Sequence, residues 1–354
     1  MSLYNIEIFD RDFNYVSSSQ VDEIEYSYDY LSISVNTLKF PMGMITAQIG
    51  NYIHISNGKH FVDGIISDVS ESDTFTIKYK SFLSLFDHKV YANDSLLSGM
   101  SMEEWLANII KSEFVTSSDT FNVIPGLIID IKTHTNNTYL GLDKKIKNLY
   151  ELIRQCFLKY QIVLTFSIDI TQKQITLSIS NEISSKQDKT IEMHLPNIFN
   201  KKISFNSKRT TINKITIVNQ DNEAESVTYY MGKDNLISQH VPNSLRIYPV
   251  VSDMVFCSAK DDKTFASVAY EKASAELKKD EYNNLVEATV LSNDLLVEPD
   301  TWQIGQRTLI KPKPEAGFYS ILTGIKFKNS LVTLIFGSNR YNMTSILQRR
   351  LNEI

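Results

Sequence analysis

The chain has 354 residues, of which 42% are hydrophobic and 22% charged, with a formal net charge of −5. That composition excludes a nucleic-acid-binding protein of the usual basic kind, and the two cysteines, Cys156 and Cys257, provide neither a disulfide framework nor a metal-ligand spacing. The N-terminus MSLYNIEIFD has no basic start followed by an apolar run, and no apolar run reaches the roughly eighteen residues of a membrane span. The expectation is a soluble, cytoplasmically made protein of about two to four domains, with no membrane segment.

Charge is uneven along the chain. Residues 1–95 hold thirteen Asp/Glu against six Lys/Arg, a balance of −7, which leaves about +2 for the rest. This first region reads as strands. YNIEIF (4–9) and EIEYSYDYLSISV (23–35) alternate, and Tyr26, Tyr28 and Tyr30 share one strand face. Such an aromatic stripe could hold sugar rings, but packing against a neighbouring surface is the default. In QIGNYIHISNGKHFVDGIISDV (48–69), Asn57-Gly58 signals a two-residue hairpin turn. That turn sets Ser56 opposite Lys59 and His54 opposite Phe61. His54 and His60 then fall on opposite faces and cannot share a metal ion. A further strand, TFTIKY (74–79), follows the turn 70–73.

The period changes near residue 95. Ser101-Met-Glu-Glu104 is a capping box, followed by a helical face of Met102, Trp105, Leu106, Ile109 and Ile110. A second helix is expected over 144–160, with Ile146, Leu149, Tyr150, Ile153, Cys156, Phe157 and Tyr160 on one face. Cys156 on that stripe reads as a buried, inert thiol. A hairpin (161–180) completes an α/β unit over 96–200. In the basic strand region 201–219, Lys201, Lys202, Lys208, Arg209 and Lys214 read as a solvated edge, or as a contact with an acidic neighbour. Residues 226–283 look like an insertion with a helix over 263–280, burying Phe265, Val268, Ala269, Ala273 and Leu277 and exposing Glu271, Lys272, Glu276 and Lys279. Strands return at 285–292, 318–327 and 331–336, and a terminal helix is expected at 343–352.

QIGQRTLI (303–310) echoes QIGNYIHI (48–55). In both copies a strand, a turn, a second strand with an apolar–polar–Gly–Ile run, another turn and a third strand follow. This pairs Gly50 with Gly305 and Gly64 with Gly324, and puts five extra residues in the turn KPKPEAG (311–317). The expected fold is α+β, mainly β. It has two similar small β-barrels (1–95, and 201–225 with 284–354), an α/β domain (96–200) and a further small inserted domain (226–283). Two like barrels per chain suit a cyclic trimer that presents six similar units around one axis.

At these residues the chain resembles a known family. DTWQIGQRTLIKP, FYSILTGIKF and LVTLIFG (within 300–337), with the opening YNIEIFD and QIGNYIHI, resemble the prophage tail protein family, hub proteins of phages of Gram-positive hosts. The family is similar in fold to the baseplate hubs of contractile-tailed phages. The resemblance implies a virion-tail protein, made in the host bacterial cytoplasm, whose homotrimer closes the distal tail tube and lines the DNA channel. Its implied partners are the distal tail protein ring, the tape-measure protein and tip or receptor-binding proteins. DNA passes through without specific binding. Some relatives are labelled tail endopeptidases or continue into a peptidoglycan-hydrolase domain, and no such domain is expected after Ile354.

No catalytic, cofactor-binding or metal-binding residue is assigned. HExxH, GxSxG and P-loop motifs are missing from the sequence. His88, His134, His194 and His240 stand singly, and Cys257 reads as strand core. A Cys–His dyad assembled by the fold stays open. The structural hub is therefore the first reading and a cell-wall endopeptidase or host-surface-binding protein the alternative. A channel that repels DNA requires acidic or neutral walls, for which Asp22, Glu23, Glu25, Asp68, Glu71 and Asp73 are the candidates.

Overall fold

The computed structural model describes residues 3–57, 61–92, 100–135, 146–181, 188–205, 212–232, 236–245, 250, 252–258, 264–278, 282 and 284–338. The first region comprises β1 (Tyr4–Phe9), β2 (Tyr15–Val21), β3 (Glu25–Asp29), β4 (Asn36–Pro41), β5 (Tyr52–Ser56), β6 (Phe61–Glu71), β7 (Thr74–Lys80) and β8 (Lys89–Tyr91). Then come α1 (Met102–Phe114), β9 (Leu127–Ile131), β10 (Ile146–Asn148), α2 (Leu149–Tyr160), β11 (Val163–Asp169), β12 (Gln174–Ser180) and β13 (Lys189–Glu192). After them come β14 (Lys201–Phe205), β15 (Lys214–Asn219), β16 (Ser226–Met231), β17 (Ile237–Ser238), β18 (Ser252–Cys257) and α3 (Phe265–Lys278). The last strands are β19 (Asn284–Leu291), β20 (Arg307–Lys313), β21 (Ala316–Lys328) and β22 (Leu331–Phe336). The class is α+β, mainly β, as the alternation implied.

The first sheet runs β2-β1-β5-β6-β7-β4, every pair antiparallel. Strict alternation in β4 and β7 sends Leu38, Phe40, Phe75, Ile77 and Tyr79 inward against Ile6, Ile8, Ile53 and Ile55. The second large sheet runs β13-β20-β21-β22-β19-β14. The α/β unit follows the first sheet in sequence. Its sheet β11-β12-β9 carries α1 and α2, and its core is continuous with that of the second sheet. The inserted unit is the sheet β17-β16-β15-β18, covered by α3 through Phe265, Ala269, Ala273 and Leu277. Val268 is only partly buried there, and Glu276 reaches Lys159 of α2 at 3.4 Å.

Several local expectations change. The β5–β6 turn is longer than a two-residue Asn-Gly hairpin: Ser56 pairs with Phe61, and His54 pairs with Asp63. The slip is by two residues, so each side chain keeps its face. Gly58, Lys59 and His60 lie outside the described residues. Helix α2 begins at Leu149, not 144, because β8 recruits residues 146–148 as its antiparallel partner β10. Asn148 then caps the helix, accepting from the Glu151 N–H at 3.1 Å. Ile146 is thereby left 65% exposed. Strand β3 leaves the first sheet and pairs antiparallel with β21. β13 leaves the α/β unit for β20, where Lys189 donates to the Thr301 carbonyl at 2.9 Å and lies 4.7 Å from the Trp302 ring centre. β15, expected in the second barrel, lies in the inserted sheet between β16 and β18. The expected terminal helix at 343–352 lies outside the described residues.

Candidate assembly surface

The two QIG phrases fold alike, atom by atom. Gly50 and Gly305 both take positive φ, +89° and +84°, a conformation that favours glycine. Each donates its N–H across the sheet, Gly50 to Ile66 at 2.9 Å and Gly305 to Leu322 at 2.7 Å. The next residues, Asn51 and Gln306, each donate backward at 3.1 Å, to Gln48 and Gln303 respectively. Ile66 and Leu322 return bonds to Asn51 and Gln306 at 2.9 and 3.0 Å. Even the side chains repeat, for Asn51 Oδ1 and Gln306 Oε1 accept from the Gln48 and Gln303 N–H groups.

The strands around these turns also match. The order β5-β6-β7-β4 in one sheet is the order β20-β21-β22-β19 in the other. In each, the strand that precedes the phrase in sequence returns beside the third strand after it, a Greek-key arrangement. A β-bulge falls between Ile66 and Asp68 in one copy and between Leu322 and Gly324 in the other. At its centre Ser67 and Thr323 donate to the Lys78 and Ile335 carbonyls, both at 3.2 Å. These bonds correct one expected equivalence. Gly64 pairs with Ile53 as Ser320 pairs with Thr308, so Gly64 matches Ser320, and Gly324 matches Asp68. The two copies differ by one residue before the bulge, not five, because β20 and β21 meet at a tight turn after Lys313. The two glycines had separate causes. A Cβ at Gly64 would meet the Lys80 carbonyl at 2.6 Å, and one at Gly324 would meet the Tyr28 carbonyl of β3 at 3.1 Å.

β3 ties the two copies together. It lies along the distal half of β21, from Gly324 opposite Asp29 to Lys328 opposite Glu25, with Lys328 and Glu25 paired at 3.0 Å. The tyrosine stripe serves this junction. Tyr26 packs on the first core and Tyr28 on the second. Tyr30 is fully buried, and its hydroxyl accepts from the Leu164 N–H at 2.9 Å. Tyr26 and Tyr28 are partly buried in this packing, as the default reading of the stripe expected.

The six acidic candidates do not form one wall. Asp22 and Glu23 line a cleft of about 750 Å³ between the two sheets, with Asp294, Glu298 and Asp300. Glu25 is paired with Lys328, and Asp68 with Lys78 at 2.7 Å. Glu71 and Asp73 stand exposed at the β6–β7 turn. Among the lysines of 201–219, Lys202 faces Glu287 at 3.7 Å and Lys201 donates to the Leu195 carbonyl at 2.9 Å. Lys214 sits on the inserted sheet, and Lys208 and Arg209 lie outside the described residues. Exposed apolar tips recur in the loop that precedes each phrase: Met42 and Met44 in one copy, Leu295 and Leu296 in the other.

The described histidines and cysteines stand in separate local settings. His54 Nδ1 lies 2.6 Å from Asp63, and this hydrogen bond raises the His54 pKa against the opposing effect of burial. His134 lies 3.3 Å from Glu104 and His194 3.9 Å from Glu192; His88 packs edge-on against Phe114; His240 is exposed. Both cysteines are buried. Burial pushes the Cys156 thiol up to about 12 and also raises that of Cys257, which holds both in the unreactive thiol form. Glu103, fully buried, was not legible in the sequence. It accepts from Thr133 and from the Thr135 N–H and hydroxyl at 2.9–3.0 Å, binding a distant loop to α1. Among the described residues no group of three or more His, Cys, Asp or Glu is placed to hold a metal ion.

No family model matches the chain, and no curated protein matches it in sequence. Solved structures do match over nearly its whole length. The 43 kDa tail protein of prophage MuSo2 from Shewanella oneidensis is 14% identical with a TM-score of 0.56, covering 94% of this chain and 98% of its own. Prophage tail protein gp18 from Listeria monocytogenes EGD-e is 11% identical with a TM-score of 0.57, covering 98% of each chain. A chain of the phage P2 baseplate is 10% identical with a TM-score of 0.50, covering 96% of this chain and all of its own. At such identities the likeness concerns fold, and the chain has the fold of prophage tail and phage baseplate proteins.

Proposed function

We propose that the protein is a structural hub of a phage or prophage tail. Three copies form a ring that closes the distal end of the tail tube, six similar units facing the tube and three-fold symmetry facing the tip. The observation that carries this reading is the duplicated unit, repeated down to its turn bonds and bulge hydroxyl and joined within the chain by β3. A single copy has little use for two such units, whereas a closed ring of three turns them into six. Whole-chain similarity to tail and baseplate structures supports the same role. The distal tail protein ring, the tape-measure protein and tip or receptor-binding proteins are the proposed neighbours.

The ring encloses a channel through which DNA passes without specific binding. Free lysines would hold phosphates by releasing counterions. On the sheet faces turned from the cores, Lys78, Lys328 and Lys202 stand against Asp68, Glu25 and Glu287, which weakens that attraction. Two of the six acidic candidates, Asp68 and Glu25, are engaged in these pairs. The role assigns no catalysis, and a peptidoglycan zymogram of the purified chain should show no clearing. The hub reading itself is tested by quantitative mass spectrometry of purified tails. Three copies per tail are expected, and six would overturn it.

A further inference from the structure

We infer, on the ring reading, that the β20–β21 turn of one copy seats on the next copy, between its loop 42–44 and its β6–β7 turn. Inside the chain the two units already meet in this manner. The cleft of about 750 Å³ has Tyr4 and Asn57, at the β5–β6 end of the first unit, on one side. On the other side stand Ser292, Asn293, Phe327 and Asn329 of the second unit. Tyr4 packs edge-on against Phe327 with 6.1 Å between ring centres, and the Asn329 N–H donates to the Ile24 carbonyl at 3.2 Å. One unit thus offers a turn end. The other offers a fork, made by the loop before its QIG phrase and the turn between its next two strands.

Each of these positions has a counterpart in the opposite unit. Ile53 matches Thr308, which sets Asn57 on Pro312. Ser67 and Thr323 reach Lys78 and Ile335, so the next residues, Tyr79 and Phe336, also match. Their partners Asn36 and Val286 match in turn, and Met42 falls on Ser292. Asp68 matches Gly324, so Glu71 falls on Phe327. The counterpart fork is therefore Met42 to Met44 with Glu71 to Asp73, and the counterpart turn is Pro312 to Pro314. Every residue of that fork is exposed in the single chain, as are Lys313 and Pro314. A ring of three closes when the turn of each copy enters the fork of the next, a head-to-tail contact.

The chemistry of the two surfaces agrees. Met42 and Met44 are 50% and 53% exposed, held out by a turn in which Gly43 has φ +78° and the Met44 N–H donates to the Pro41 carbonyl at 3.3 Å. Against them the β20–β21 turn brings Pro312 and Pro314, and against Glu71 and Asp73 it brings Lys313. Inside the chain the matching cleft has carboxylates on both sides. There β3 and the continuous backbone hold the units together. Between copies only the surfaces can do so. An adaptable methionine contact with an opposite-charge rim supplies both adhesion and register.

The test is an Asp73→Cys, Lys313→Cys double variant in assembled tails, treated with a short bis-maleimide. Two- and three-chain bands are expected from the double variant and neither from the single variants, since Cys156 and Cys257 are buried. Tails with three copies but no cross-linked bands would overturn the contact and leave the ring reading intact. A copy number other than three would overturn the ring reading. If the double variant blocks assembly, hydroxyl-radical footprinting of the unaltered protein decides. Met42, Met44 and Pro314 should all oxidise several-fold more slowly in tails than in the free chain, and equal rates at either segment would overturn the contact.

Discussion

Single residues report the repeat most sharply where the backbone is unusual. An added Cβ at Gly50 would meet nothing within 4 Å, so only its φ of +89° opposes a side chain. Gly50→Ala should cost about 1–2 kcal/mol in urea unfolding; a neutral result would mean the turn is not held as described. Tyr30→Phe removes the acceptor of the buried Leu164 N–H and should cost about 1–3 kcal/mol. His54 supplies a pH test. Its folded pKa is raised by Asp63, so the protonated pair stabilises the fold fully below the unfolded value of about 6.5. That contribution is lost as pH rises through the folded value. The stability gap between the protein and His54→Gln should be larger at about pH 5.5 than at about pH 8.5, and a constant gap would contradict the pairing. Asp63 was not legible as its partner, because the partner depended on a turn length that Asn57-Gly58 misstated. The fate of Cys156 was legible, since one helical stripe suffices to bury it.

Individual elements were legible where their pattern is local. The capping box formed as written: Ser101 accepts from the Glu104 N–H at 3.2 Å, and Glu104 accepts from the Ser101 N–H at 2.7 Å. Alternation located β1, β7, β12 and β22, because it fixes which face of a strand is buried. It does not fix which strand lies alongside. Hence the transfers of β3 to β21 and β13 to β20 went unread, as did the assignment of β15 to the inserted sheet. β13 even reverses the local direction. It runs parallel to β20 where the matching position on β5 is held by antiparallel β1. The bulge gives an element-scale prediction. The Thr323 hydroxyl lies 3.2 Å from the Ile335 carbonyl and 2.9 Å from that of Gly337, wholly buried. Thr323→Val should cost about 1–3 kcal/mol, more than Ser67→Ala at the partly exposed matching site. Equal costs in parallel denaturation curves would contradict the burial difference between the two sites.

For the whole molecule, the duplication was visible in two tripeptides, but its true register required the hydrogen bonds. A run of apolar, polar, Gly, Ile aligned Gly64 with Gly324, yet those glycines answer to different neighbours, the Lys80 carbonyl and strand β3. The junction between the two units could not be read from either alone, since it depends on a strand crossing 300 positions of sequence. The ring account is tested most directly by a reconstruction of the assembled tail tip at a resolution that separates strands. It predicts three copies of this chain, the QIG units alternating around the axis as six similar sectors, with the β3–β21 contact inside each copy. Six copies in one ring, or units of one kind only around the channel, would contradict it.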